Sequence, residues 1–210
     1  MQCIKDTIKN INIVIGCNIG CSYCYARMNN NRFHTIDDFN KPVFFENKLK
    51  MLDKKRHTAY LLTGQSDLSG WNEEWKNKVF SKMKENENTQ YIFLTKRPEN
   101  INLKETPDNG WFGVTVTSSK EKTRIDYLRN NIKAKHYHIT FEPMFDDVGK
   151  LDLSNISWIV IGTETGNRKG KISSKREWVF NIYNQAKEKN IPVFMKEDLL
   201  GILNEDEFVQ

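Results

Sequence analysis

The chain has 210 residues, of which 38% are hydrophobic and 28% charged, and its formal net charge is +5. The hydrophobic share supports a real core, and the charged share is ordinary for a soluble protein. No apolar run approaches the length of a membrane span, and the start of the chain lacks a basic leader with a long apolar segment. We therefore expect a cytoplasmic protein with no membrane partner, whose mild positive charge permits an anionic partner without requiring one.

Short apolar, β-branched runs recur along the chain and predict buried strands. They are INIVIG (11–16), TAYLLTG (58–64), YIFLTK (91–96), WFGVTVT (111–117), YHITFEP (137–143), WIVIGTE (158–164) and IPVFMK (191–196). Amphipathic stretches between them predict helices over 41–56, 72–87, 118–132 and 173–190. The last has a serine cap and carries Trp178, Ile182 and Ala186 on one face. Alternating strands and helices indicate one α/β domain, residues 1–210, with a parallel sheet.

Polar residues follow every one of these runs. In both an open doubly wound sheet and a barrel, chemistry gathers at the carboxyl ends of the strands. Polar residues also end many strands simply as caps and turns, but Glu142, Glu164, Lys96 and Lys196 directly follow apolar strands. Two acids and two lysines in one cavity can neutralise each other or bind substrate. We expect Glu142, Glu164 and Lys196 to line an active site.

Three of the four cysteines, Cys17, Cys21 and Cys24, lie in one short loop after the first predicted strand. Cytosolic thiols stay reduced, so clustered cysteines there bind metal or perform chemistry. Structural zinc takes four closed ligands, and catalytic zinc needs an activated water and a base. A four-iron cluster held by three thiolates keeps one iron open for another ligand. The fourth cysteine, Cys3, precedes the first strand and is expected at the opposite end.

The spacing C-x3-C-x2-C, with Tyr23 before the last cysteine, resembles the radical S-adenosylmethionine (radical SAM) superfamily. The ordered blocks CSYCYAR, IFLTKRPENI, WFGVTVTS, ITFEPM, WIVIGTETG and IPVFMKEDL resemble the phage-associated three-Cys-motif family of radical SAM-like proteins. The first cysteine gap is shorter than is usual in that family and has the general superfamily form. The resemblance covers about residues 11–200 and implies an α/β fold, a partial (β/α)6-type TIM-like barrel with parallel strands.

The resemblance implies that Cys17, Cys21 and Cys24 ligate a [4Fe–4S] cluster whose fourth iron binds S-adenosylmethionine. An electron from an external donor of flavodoxin or ferredoxin type would split this cofactor into methionine and a 5′-deoxyadenosyl radical. That radical would take a hydrogen atom from the substrate. The cofactor carries this chemistry, and the protein supplies orientation and protection from water.

The same resemblance assigns cofactor-binding residues to the strand ends. Gly64 and Gln65, in TGQSD, stand where superfamily members receive the methionine amino group, although Gln65 replaces an acid and a simple turn is an equal alternative. The remaining candidates are Thr115, Thr117 and Ser118 for ribose hydroxyls or the carboxylate, Arg124 for forking the carboxylate, and Tyr23 for shielding the cluster.

The substrate stays open at the level of sequence. A partial barrel of six or seven strands leaves a wide lateral opening, which suits a large substrate such as a nucleic acid, although a nucleotide or peptide also fits. The alternative to an enzyme is a zinc- or Fe–S-stabilised nucleic-acid-binding protein using the basic stretches 54–57 and 169–176. No G-x-S-x-G elbow appears, which argues against an α/β-hydrolase-like enzyme.

Overall fold

A computed structural model of the protein describes residues 7–53 and 59–209. The strands of these ranges are β1 (Ile8–Asn10), β2 (Val14–Ile15), β3 (Val43–Phe44), β4 (Ala59–Leu61), β5 (Gln90–Thr95), β6 (Gly110–Thr115), β7 (His136–Phe141), β8 (Ile156–Ile161) and β9 (Val193–Met195). The α-helices are α1 (Tyr25–Phe33), α2 (Glu73–Glu85), α3 (Thr123–Asn131) and α4 (Arg176–Glu188). Short 3₁₀ helices occupy Glu46–Met51, Leu68–Gly70, Pro98–Asn100, Ser119–Glu121, Glu197–Leu199 and Glu205–Glu207.

Seven strands form one sheet in the order β1-β4-β5-β6-β7-β8-β9, and every neighbouring pair is parallel. The sheet curls into a half-barrel. The helices α2, α3 and α4 each lie between two consecutive strands of this sheet, as parallel connections require. The predicted α/β class with a parallel, barrel-like sheet is confirmed at this level.

The main core lies between the sheet and its helices. Phe93 of β5 stacks on Phe112 of β6 with ring centroids 4.9 Å apart, and Phe80 of α2 meets Phe93 edge-on at 5.9 Å. Because side chains alternate along a strand, the residues between these point to the other, concave face. There Trp111 stacks on His136 at 4.4 Å, and the fully buried His138 lies against Gly113.

The first predicted strand is wrong in its position. The sheet strand is β1 at Ile8–Asn10, whereas β2 within the predicted run leaves the sheet and pairs antiparallel with β3. The run resembles a strand of the large sheet because Ile13, Val14 and Ile15 are all buried. Ile13 and Val14 are buried in the main hydrophobic cluster, however, and Ile15 in a second, separate one. Burial on both sides, and not membership of the large sheet, explains the run.

The helix predicted over 41–56 is also wrong where the structure describes it. This stretch forms β3 and then the 3₁₀ helix Glu46–Met51, while residues 54–56 lie outside the described ranges. Val43, Phe44 and Phe45 are β-branched or aromatic and fit an extended strand better than a helix. Phe44 then stacks on Trp75 of α2 at 5.7 Å, which anchors the small sheet on the main domain.

The other three predicted helices are confirmed as α2, α3 and α4. The cap of α4 differs, because the helix begins at Arg176 and Ser174 instead donates to the Thr163 hydroxyl at 3.0 Å. Its fully buried residues are Val179, Ile182 and Ala186, with Trp178 only partly covered. None of the helices in the described ranges has the length and apolar character needed to cross a membrane.

Candidate functional site at the carboxyl edge of the sheet

The cysteine loop starts at Gly16, which ties it to the loop after β4. The Gly16 amide donates to the Gln65 carbonyl at 2.9 Å, and Gly16 forms a parallel bridge with Ser66. Gly16 has a φ of 114°, and a Cβ there would lie 2.8 Å from the Cα of Pro42. Only glycine fits this backbone and this approach. The loop therefore sits beside TGQSD, at the edge where the strands end.

The loop ends in helix α1, which the sequence did not predict. Cys24 is its N-cap, and the Cys24 sulfur accepts a hydrogen bond from the Arg27 amide at 3.4 Å. The Arg27 guanidinium donates to the Cys17 carbonyl at 2.8 Å and lies 5.0 Å from the Phe39 ring centroid. The Cys17 amide donates to the Phe39 carbonyl at 2.7 Å. Short-range contacts thus fold both ends of the loop against α1.

Cys17, Cys21 and Cys24 are free thiols, each half-buried. Burial raises the pKa of Cys17 to about 11; a hydrogen bond from Ile19 opposes this, and the charges of Asp67, Cys21 and Cys24 add to it. A bound cation would reverse this balance, because metal ligation removes the thiol proton. The thiols have the chemistry that iron–sulfur clusters and zinc require. No three His, Cys, Asp or Glu side chains in the described ranges are already arranged as a metal site, so a cluster would have to draw the thiols together.

Tyr25 links the cysteine loop to two strand ends. Its hydroxyl donates to the Gly64 carbonyl at 2.5 Å, so this predicted cofactor-binding carbonyl already has a partner. Burial raises the pKa of Tyr25, as do the charges of Cys24 and Glu142, while Lys196 lowers it. The phenol therefore lies within electrostatic range of Cys24, Glu142 and Lys196 together. The sequence predicts packing and cluster shielding for Tyr25 and gives no sign of this link to Gly64.

Tyr23 links the loop to Lys96 at the end of β5 and to Phe145 beyond the end of β7. Its ring packs edge-on against Phe145 at 5.4 Å, and the Lys96 ammonium lies 5.9 Å from the ring centroid. Burial raises the pKa of Tyr23, and a hydrogen bond and charge from Cys21 raise it further. Tyr23 therefore packs between the loop and these strand ends, and its role in shielding a cluster stays a prediction.

Arg124 and the threonines after β6 form one hydrogen-bonded group around Glu121. The Arg124 guanidinium lies 2.8 Å from a Glu121 carboxylate oxygen and donates to the Thr115 carbonyl at 2.8 Å. The Thr117 amide and hydroxyl donate to that same oxygen at 2.8 and 2.7 Å. Ser118 directly precedes the 3₁₀ helix that carries Glu121. The carboxylate expected to meet Arg124 thus comes from the chain itself in this structure.

Glu142 and Lys196 meet, which is one of the two arrangements that the sequence left open. They form an ion pair, and the Lys196 ammonium also lies 3.4 Å from Asp198. Gly162 permits this approach, because a Cβ there would come within 3.0 Å of Lys196 and 3.2 Å of Glu142. Burial of Lys196 opposes its charge, yet Glu142 and Asp198 outweigh burial and raise its pKa. Lys196 therefore keeps its proton at neutral pH.

Glu164 holds together a separate loop, residues 164–172. It is only 3% exposed, and its two carboxylate oxygens accept from Arg168 at 2.5 and 2.8 Å and from the Ile172 amide at 3.2 Å. The Arg168 hydrogen bonds lower the pKa of Glu164, against the effect of its burial. These contacts make Glu164 the organiser of residues 164–172, and its catalytic role stays a prediction.

Asp67 is the residue that sequence reasoning missed most clearly. It is buried, and one oxygen accepts from the Thr95 hydroxyl at 2.6 Å and from Ser69 while the other accepts from the Lys96 amide at 2.8 Å. It therefore fixes the end of β5 and presents Lys96, whose ammonium reaches Thr115 at 3.4 Å. The available signal was an acid in the polar turn TGQSD, six residues after the end of β4.

The fold and this edge define an α/β half-barrel protein with a thiol-bearing loop at the carboxyl ends of its parallel strands. The family model described as "Protein of unknown function (DUF5131)" matches residues 2–203, and the chain belongs to that family. No match was found among curated proteins. Solved structures likewise gave no match.

Proposed function

We propose that this protein is a radical SAM enzyme, in which Cys17, Cys21 and Cys24 hold a [4Fe–4S] cluster. When bound, the cluster and S-adenosylmethionine supply reductive cleavage and abstraction of a hydrogen atom from the substrate. The observation that carries the proposal is the position of three half-buried thiols in one loop at the carboxyl edge of a parallel half-barrel. Active sites of barrels of parallel strands gather at this edge.

The chain's own residues would prepare the site. The three thiols lose their protons on ligation, and Gly16 and Arg27 hold the loop against its neighbours. Tyr23 and Tyr25 flank the loop and limit water access to it. Lys96 takes part in none of the ion pairs of the described residues, so it is a cation available to a carboxylate, whereas Arg124 is neutralised by Glu121.

Glu142 and Lys196 would act as a polar wall of the site. The proton stays on the Lys196 nitrogen, because the pKa of Lys196 is raised, and Glu142 accepts its hydrogen bond. Such a pair binds and orients polar groups and is poorly suited to remove a proton. Because the thiols must remain reduced, we place the enzyme in the cytoplasm, with an electron donor of flavodoxin or ferredoxin type.

The test is anaerobic reconstitution with iron and sulfide, followed by electron paramagnetic resonance with and without S-adenosylmethionine. We expect a four-iron signal that changes on adding the cofactor, and 5′-deoxyadenosine under reductant. Cys17→Ala, Cys21→Ala and Cys24→Ala should each abolish iron loading.

Cys3→Ala is the matched control, since it removes a thiol outside the loop and outside the described residues, and it should load iron normally. A colourless protein that holds one zinc and ignores S-adenosylmethionine would instead support the zinc-stabilised binding protein. Loss of loading in Cys3→Ala as severe as in the loop variants would show that the ligands are misassigned.

A further inference from the structure

Helix α1 has an exposed apolar and aromatic face that begins directly at the cysteine loop. Tyr25, Met28 and Phe33 are 52%, 54% and 65% exposed. At 100° per residue, Asn29 and Arg32 fall between them on the same face. The side of the helix next to Phe33 is buried through Ala26 and Asn30, and the Asn30 side-chain amide bonds both the amide and the carbonyl of Ile36. The helix is therefore fixed in orientation. Its outer face is exposed, although the Tyr25 hydroxyl at one end of that face bonds the Gly64 carbonyl.

The helix and the loop before it carry only positive charge. Residues 16–36 contain Arg27 and Arg32 and no acidic residue. At the nearby strand end, Lys96 and Arg97 take part in none of the ion pairs of the described residues. In contrast, the acids at the neighbouring strand ends, Glu121, Glu142 and Glu164, are each paired with a cation. Asp37 and Asp67 also lie close to the loop and take part in none of the ion pairs of the described residues, so the positive excess belongs to the loop, the helix and the end of β5 themselves.

One contact on this face combines both properties. The Arg32 guanidinium lies 5.0 Å from the centroid of the Phe33 ring, so a cation and an aromatic surface stand at the same point. A nucleotide presents a phosphate beside a planar base and matches this combination. A duplex keeps its bases stacked inside, so only unpaired bases can stack on Tyr25 and Phe33.

We propose that the outer face of α1 binds single-stranded nucleic acid and leads it towards the cysteine loop. Bases stack on Phe33 and Tyr25, and phosphates contact Arg32, with Lys96 and Arg97 extending the positive path at the end of β5. The binding surface is argued from side chains alone, whereas its role in delivering substrate rests on the proposed function.

The test is fluorescence anisotropy with labelled oligonucleotides of about 12 nucleotides, as single-stranded RNA, single-stranded DNA and duplex. We expect single strands to bind more tightly than duplex, with an affinity that falls as salt rises. Phe33→Ser should weaken single-strand binding about tenfold by removing one stacking surface. Arg32→Glu should weaken it about tenfold as well and flatten the salt dependence.

Matched controls lie on other helices. Tyr127→Ser removes a similarly exposed aromatic ring of α3, and Lys187→Glu reverses a charge in the last turn of α4, as Arg32→Glu does in α1. Both should bind like the wild type. Equal binding of duplex and single strands, unchanged binding in Phe33→Ser and Arg32→Glu, or no binding of any oligonucleotide would overturn the proposal, the last pointing to a protein partner.

Binding and cluster loading are read independently. Iron content after reconstitution should be the same in Phe33→Ser, Arg32→Glu and the wild type. A protein that binds single strands but never loads iron would overturn the enzymatic proposal and leave the nucleic-acid surface standing.

Discussion

Two hydrophobic clusters of very different size support the two halves of the candidate site. The sheet core lies under the parallel strands and includes Phe93, Phe112 and Phe80 in mutual ring contact. The loop cluster consists of Ile15, Ala26, Ile36 and Phe39, with Cys17 and Cys24 packed against it. The residues at the strand ends are thus supported by a large hydrophobic cluster, and the thiols are supported by a small one.

Because of this difference, the thiol loop can change its conformation without the whole domain unfolding. A region with few buried apolar contacts opens at a lower free energy than the whole domain. The loop can therefore rearrange to bring its thiols together while the sheet holds the Glu142–Lys196 pair and Lys96 in place. The links between the two regions include the hydrogen bonds of Gly16 to Gln65 and of Tyr25 to Gly64 and the ring contacts of Tyr23.

The sharpest test of this comparison deletes one ring from each cluster. Phe93→Ala should lower the free energy of unfolding by about 4 kcal/mol, because Phe93 is fully buried among other rings. Phe39→Ala should cost about 2 kcal/mol or less globally, because local opening of the loop cluster limits the loss. Urea denaturation measures both values, and hydrogen exchange should show accelerated exchange in residues 17–39 of Phe39→Ala alone. Equal global losses would mean that the two clusters unfold as one.

A second test probes the concave face of the sheet through pH. His138 is fully buried and its pKa is lowered to about 4 by that burial, although its hydrogen-bonding contact with the Phe93 carbonyl favours protonation. Between pH 4 and 6.5 the unfolded chain therefore binds a proton that the folded chain does not. The free energy of unfolding should fall as pH falls through this window, by about 3 kcal/mol from this residue.

Urea denaturation across that window measures the effect, and His138→Gln should remove most of the slope. His136→Gln, on the same strand and face but half exposed, is the control and should leave most of it. An unchanged slope in His138→Gln would show that another group dominates acid destabilisation.

The smallest expected effect concerns the backbone of the thiol loop. Gly16→Ala should cost about 2 kcal/mol, because it strains a φ of 114° and drives a Cβ against Pro42. Gly20→Ala should cost about 1 kcal/mol, since its φ of 79° is strained but its surroundings are open. Thermal denaturation measures the difference, and iron loading should suffer more in Gly16→Ala. Equal losses of stability and of iron loading in the two variants would show that the contact with Pro42 makes no contribution.

The sequence by itself determined the parts of this protein that rest on local patterns. Strands β4 to β9, helices α2 to α4 and the thiol loop follow from periodicity and from spacing within a few residues. The meeting of Glu142 with Lys196 was also predictable, because parallel strands deliver their last residues to one edge.

Only the tertiary structure decided which partners those residues take. Arg124 pairs with Glu121, and Glu164 pairs with Arg168. The Gly64 carbonyl accepts a hydrogen bond from Tyr25. Pairing with β3 likewise draws β2 out of the main sheet. The Tyr25 contact and the pairing of β2 with β3 join segments that are far apart in the chain, and such contacts have no local signature. Glu121 and Glu164 lie only three and four residues from their arginines, so sequence spacing could have suggested those two pairs. Periodicity reports which side of an element is buried, whereas the choice of neighbour is made when the sheet curls and the loops close over its edge.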